Sequence, residues 1–129
     1  MSGKGASQPQ VLVVEDEFLI RLTLVEALSD EGFKVLEADT GDAALSVLQC
    51  SPGICLLLTD IQLPGSLDGH ALAAKARESL PDLPVIFMTG RLDAADDAQR
   101  STRNVFITKP YTLTDICKAA KRLTAPKAA

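Results

Sequence analysis

The feature that most restricts this chain is a set of short, continuously apolar runs: VLVV (11–14), CLLLT (55–59), PVIFM (84–88) and VFIT (105–108). A fifth segment, FKVLEA (33–38), also reads as a strand. Strands that alternate apolar and polar residues turn one face to water, whereas unbroken apolar runs are buried on both faces. Helix-length segments separate the runs, so the order is strand then helix, five times over. That order predicts a parallel sheet covered by helices on both sides, a doubly wound α/β fold.

The intervening segments carry helical spacing. Ile20, Leu24, Ala27 and Leu28 fall on one face of a helix from Glu17 to Asp30, with Gly32 as its stop. GDAALSVLQC (41–50) is a short helix closed by Pro52-Gly53. Asp68 is placed to cap a helix lined by Leu72, Ala76 and Leu80 and ended by Pro81. Leu113, Ile116, Cys117 and Ala120 mark the last helix, with Thr112 and Asp115 at capping-box spacing. LDAADDAQRSTR (92–103) has a poor apolar stripe, which predicts a short or irregular fourth helix. The domain is expected to span residues 10–124, with tails at 1–9 and 125–129.

A chain of 129 residues suits one domain. A net charge of −4 argues against nucleic acid or an anionic membrane surface as a partner. No run approaches the length of a membrane span, and the polar MSGKGASQPQ start lacks a signal-peptide core. Three cysteines (Cys50, Cys55, Cys117) without metal-type spacing are expected to be reduced and mostly buried, which points to the cytoplasm.

In an open parallel sheet, ligands bind beyond the carboxyl ends of the strands. Those ends carry Glu15, Asp16 and Glu17 after the first run, Asp60 after the third, Thr89-Gly90 after the fourth and Lys109-Pro110 after the fifth. Two carboxylates about 4 Å apart repel by roughly 4 kcal/mol at an effective dielectric near 20, so gathered acids call for a cation. Magnesium fits, with Asp16 and Asp60 as carboxylate ligands, Glu15 in reserve and the backbone carbonyl of Gln62 as a further oxygen. A carboxylate is also a nucleophile toward phosphorus, and a transferred phosphoryl group needs its oxygens neutralised. The metal, Lys109 and the Thr89 hydroxyl are the partners available.

The set VVEDE, LLLTDIQLPG, FMTG and FITKPY resembles the receiver domain of bacterial two-component response regulators. The resemblance spans roughly residues 10–124 and rests on four motifs in the right order, each weak alone. It implies a CheY-like, flavodoxin-like sheet of strand order 2-1-3-4-5, with Asp60 as phosphoryl acceptor. It further implies Glu15 and Asp16 as the acidic metal pair, Thr89 as switch hydroxyl, Lys109 as the phosphate-pairing lysine and a cis Lys109-Pro110 bond. Phe106 matches the aromatic switch position, whose ring turns inward as Thr89 moves to the phosphate. Gln62 and Arg91 fall where family members tune the lifetime of the phosphoryl group. LPGSLDG is one residue longer than the commonest receiver turn, which with the weak fourth helix resembles single-domain and hybrid-kinase receivers.

The expected function is that of a stand-alone receiver taking a phosphoryl group from a sensor histidine kinase or histidine phosphotransfer protein. Output would pass to a protein target by a switched surface, the chain being a monomer or weak dimer. A magnesium phosphohydrolase would want a second acid at Gln62. A flavin-binding module would want a hydroxyl-rich loop where EDE stands. A receiver that acts without phosphorylation is the remaining alternative. His70 is expected at the surface, Tyr111 as a packing residue after the last strand, and Asp16 as a helix cap as well as a metal ligand.

Overall fold

Continuous apolar runs need two covered faces, and they obtain them. In a computed structural model that describes residues 8–90 and 103–125, the elements are β1 (Gln10–Val14), α1 (Phe18–Asp30), β2 (Lys34–Ala38), α2 (Gly41–Cys50), β3 (Ile54–Asp60), α3 (Gly69–Ser79), β4 (Val85–Thr89), β5 (Asn104–Thr108) and α4 (Leu113–Thr124). The strands form one five-stranded parallel sheet in the order β2-β1-β3-β4-β5. The weak helix expected within 92–103 lies outside the described residues apart from Arg103.

Successive residues of a strand point to opposite faces, and both faces are apolar here. Leu12 and Val14 of β1 join Leu57, Ala44, Leu48, Leu72 and Ala76 in a core under α2 and α3. Val11 and Val13 join Leu56, Leu58, Leu24, Leu28 and Ile116 in a second core under α1 and α4. Each fully buried leucine contributes about 2 kcal/mol relative to exposure.

Local signals mostly held. Asp68 Oδ1 accepts from the Ala71 amide at 2.8 Å, and Thr112 Oγ1 accepts from Asp115 at 3.0 Å. Gly32 turns the chain out of α1 with φ +99°, a conformation that side chains other than hydrogen disfavour. Four expectations need correcting. Asp16 does not cap α1: the cap residue is Glu17, and the Glu17 amide donates instead to Glu15 Oε2 at 3.0 Å. Leu113, assigned to the buried stripe of the last helix, is 39% exposed at the helix's first position. The cysteines are not mostly buried, since Cys50 is exposed and Cys55 half-buried, with only Cys117 inside. His70 is not a free surface residue, for reasons given below.

Candidate functional site

Register decides which side chains meet. Val14 pairs with Thr59, Asp60 with Met88 and Thr89 with Thr108, so the residues ending or following four strands reach one edge together. Backbone bonds carry the alignment past the strands: Ile61 donates to the Met88 carbonyl at 3.0 Å and Lys109 to the Thr89 carbonyl at 2.7 Å. The Lys109-Pro110 bond is cis.

Asp60 lies at the centre, with 6% of its surface exposed. Its Oδ2 receives the Lys109 ammonium at 2.6 Å, and its Oδ1 accepts from the Gln62 amide at 3.2 Å. Carboxylate oxygens of Glu15, Asp16 and Asp60 lie within 4.8 Å of one another. Thr89 is buried at the end of β4 beside them. Of the residues singled out from sequence, Glu15, Asp16, Asp60, Gln62, Thr89 and Lys109 therefore share one sheet edge. Gln62 enters through its N–H. Arg91 lies outside the described residues.

The response regulator receiver domain family matches residues 11–121, nearly the whole of this sheet and its helices. The chain belongs to that family. This receiver is 36% identical over 118 residues to the response regulator receiver protein CpdR of Brucella abortus (strain 2308), covering 88% of this chain and 95% of that protein. It is 30% identical over 116 residues to the sensor kinase CckA of the same organism, covering 88% of this chain but 12% of the kinase. The crystal structure of a response regulator receiver protein from Sinorhizobium medicae WSM419 superimposes with a TM-score of 0.82 at 26% identity, covering 90% of this chain and 94% of that one. Receiver domains are signalling phosphoacceptors.

The electrostatics of the receiver's edge follow from crowding acids in a poorly solvated place. Burial pushes Glu15 up to about 7, and Asp16 and the charge of Asp60 add to the rise. Burial alone would lower Lys109, but its bond to Asp60 and the charges of Asp60 and Glu15 outweigh it and hold the ammonium above its ordinary value. Burial, then Glu15, also raises the Tyr111 phenol, which packs against the core under α1 and α4. Glu15 Oε1 is buried without any hydrogen-bond partner. An orphaned anionic oxygen beside two more carboxylates is the donor set that a hard divalent cation completes.

Three residues of this region were not singled out from the sequence as parts of the site. Arg21 donates to the Glu15 carbonyl at 2.8 Å and to Glu37 at 3.0 Å, which braces the turn between β1 and α1. Its place one turn after Glu17 was the available signal. Gly69 presses against the Asp60 backbone, where an added Cβ would meet the Asp60 carbonyl oxygen at 2.5 Å. His70 packs tilted against Phe87 and Phe106, with ring centroids 4.9 and 6.2 Å away. Buried Ala73, three residues on, marks the face that His70 shares.

Phe106 itself is half-buried on β5 and stacks on Phe87, its register partner, at 4.8 Å. Among the described residues no helix is long and apolar enough to cross a membrane.

Proposed function

We propose that this receiver accepts a phosphoryl group on Asp60 from a phosphohistidine donor, a sensor histidine kinase or a histidine phosphotransfer protein. The observation that carries the reading is the meeting of Asp60 with Lys109 at 2.6 Å inside a cluster completed by Glu15 and Asp16. Those three acids, with the Gln62 carbonyl, would hold Mg2+. Bound there, the ion supplies charge neutralisation for the acids and for a phosphoryl oxygen.

The chain's own groups do the rest. Lys109 holds the Asp60 carboxylate in place through its 2.6 Å contact and provides the cation for an incoming phosphoryl oxygen. An Asp60 oxygen forms the new O–P bond while the P–N bond breaks, its electron pair staying on the donor imidazole. Thr89 donates its hydroxyl to a second phosphoryl oxygen, and Phe106 follows it inward. Gln62 and Arg91 set how readily water attacks the product. Gln62 also stands where a phosphohydrolase would need its acid, which disfavours that reading.

The domain, 10–124 with tails at 1–9 and 125–129, would act as a stand-alone cytoplasmic protein, monomeric or weakly dimeric, on an unidentified protein target. No role on nucleic acid is proposed. Incubation with Mg2+ and a small acyl phosphate tests the reading. Intact mass should show one added phosphoryl group, hydroxylamine-labile and mapping to the peptide of Asp60. A protein that consumes the donor without retaining an adduct, or ignores it, defeats the proposal.

Two outcomes follow. Mg2+ at about 100 times its Kd should raise the Tm by roughly 5–10 °C, because a ligand that binds only the folded state stabilises it. Differential scanning fluorimetry against NaCl of equal ionic strength checks this, and Asp16→Asn should lose most of the shift. The second concerns donor access. Phe18, Leu19 and Leu22 are apolar yet 62%, 72% and 39% exposed on α1, directly after the acidic turn. Leu19→Asp should slow transfer from the cognate phosphohistidine protein about tenfold, the scale of one buried apolar contact. Labelling by the small acyl phosphate should not change.

A further inference from the structure

On charge alone Arg21 is out of place. Its guanidinium touches Glu15, one of the three acids gathered where a dication would sit, and like charges repel. Its contacts point to another role. Nη1 donates to the Glu15 carbonyl at 2.8 Å, and Nε donates to Glu37 Oε1 on β2 at 3.0 Å. The guanidinium also lies 5.6 Å from the centre of the Phe18 ring, and the side chain is only 16% exposed. A planar fork held by two acceptors and a ring has little freedom left, and a lysine cannot reproduce it.

Glu15 shows what the fork achieves. Its amide donates to the Ala38 carbonyl at 3.1 Å, its carbonyl accepts from Arg21, and its Oε2 accepts from the Glu17 amide at 3.0 Å. Oε1 is left over, buried and unpartnered. The turn between β1 and α1 also lacks the usual local tie, because Glu17, the cap residue of α1, makes no side-chain capping bond. Arg21, one helical turn further on, reaches back and supplies that tie from α1, while Glu37 holds the other side of the fork from β2.

We propose that Arg21 is a positioning residue for the metal site. It fixes the turn that carries Glu15 and Asp16, acting through the Glu15 backbone and not as a ligand, with Glu37 as its anchor. Groups that hold metal ligands in place set affinity without touching the ion. The inference rests on the reading of Glu15, Asp16 and Asp60 as a Mg2+ site.

Charge and position predict opposite signs. Removing a cation beside the acids tightens Mg2+ binding if charge governs, and weakens it if position governs. Isothermal titration with MgCl2 in roughly 0.15 M KCl, well below the Tm of every variant, reads the sign. Arg21→Met, which keeps the apolar length, should raise the Kd about tenfold, the lower end for groups that support metal ligands. Arg21→Lys keeps the charge but loses the fork, and should raise it about threefold. Glu37→Ala should raise the Kd about threefold in the parent and not at all in the Arg21→Met background, since its effect passes through the fork.

Tighter or unchanged binding in Arg21→Met overturns the proposal. So does a lower Tm with the parental Kd retained, the mark of a residue that serves stability alone. An equal effect of Glu37→Ala in both backgrounds removes Glu37 as the anchor. If the parent binds no Mg2+, the metal reading fails instead. Hydrogen exchange at the Glu17 amide of the metal-free protein then decides whether Arg21 fixes the turn: faster exchange than the parent in Arg21→Lys and Arg21→Met upholds it, and the parental rate overturns it.

Discussion

Asp60→Asn is expected to leave the receiver folded and to reduce phosphoryl incorporation from a small acyl phosphate by at least about a thousandfold, the scale of losing a nucleophile. The amide retains an oxygen for the Gln62 N–H, bonded at 3.2 Å in the parent, so the turn after β3 keeps its anchor. What disappears is the negative charge. Lys109 loses its 2.6 Å partner, and with 36% of its side chain exposed it turns to water at small cost. Removing Asp60 also takes away a charge that raises Glu15, which offsets part of the lost ion pair. Thermal unfolding without metal should therefore move little. Metal affinity should fall at least about tenfold, since two carboxylates replace three. Intact mass after incubation with donor and Mg2+ is the measurement. Labelling of the variant at the parental level would remove Asp60 from the acceptor role.

Gly69→Ala should be the most damaging single methyl group in the molecule's functional edge. The Gly69 amide donates to the Ile61 carbonyl at 2.7 Å, which draws the start of α3 against the chain just after Asp60. A Cβ there would lie 2.5 Å from the Asp60 carbonyl oxygen and 2.8 Å from the Ile61 Cα. Both obstacles are backbone, so no rotamer change relieves them. Either α3 slides away or Asp60 shifts. Overpacking of this kind costs about 3 kcal/mol, or roughly 10 °C in Tm for a chain this size. The site should suffer beyond the stability loss. The alignment of Lys109 on Asp60 holds only while the β3 end stays in place, so phosphoryl incorporation should drop severalfold even well below the new Tm. Thermal unfolding together with labelling at low temperature separates the two effects. A variant as stable and as readily labelled as the parent would show that the contact is relaxed in solution.

Much of this architecture was legible in the chain. Unbroken apolar runs announced buried parallel strands, and helix GDAALSVLQC coincides with α2 at Gly41–Cys50. Asp68 capped where its type and position suggested. Strand ends were read a residue or so short, as at β3, which runs from Ile54 through Asp60. The polar residue belongs to the ladder because backbone pairing continues past the last apolar side chain. Misreadings clustered where burial depends on a neighbour from elsewhere in sequence. A lone histidine after a glycine looked like surface until Phe87 and Phe106 closed over it. Leu113 fitted the stripe by spacing, yet at the first position of the helix it stays 39% exposed.

Periodicity and residue type alone determined the element order, the two-faced burial of the strands and the short set of polar residues stationed at their carboxyl ends. Those properties are local: side chains alternate along a strand and repeat along a helix whatever surrounds them. Distances were decided only by the tertiary structure. Asp60 and Lys109 stand 49 residues apart and meet at 2.6 Å because β4 joins β3 to β5 in a register set by backbone bonds between strands. The orphaned atoms of Glu15 and His70 have the same origin, since whether a polar group is left without water depends on what packs against it from other parts of the chain.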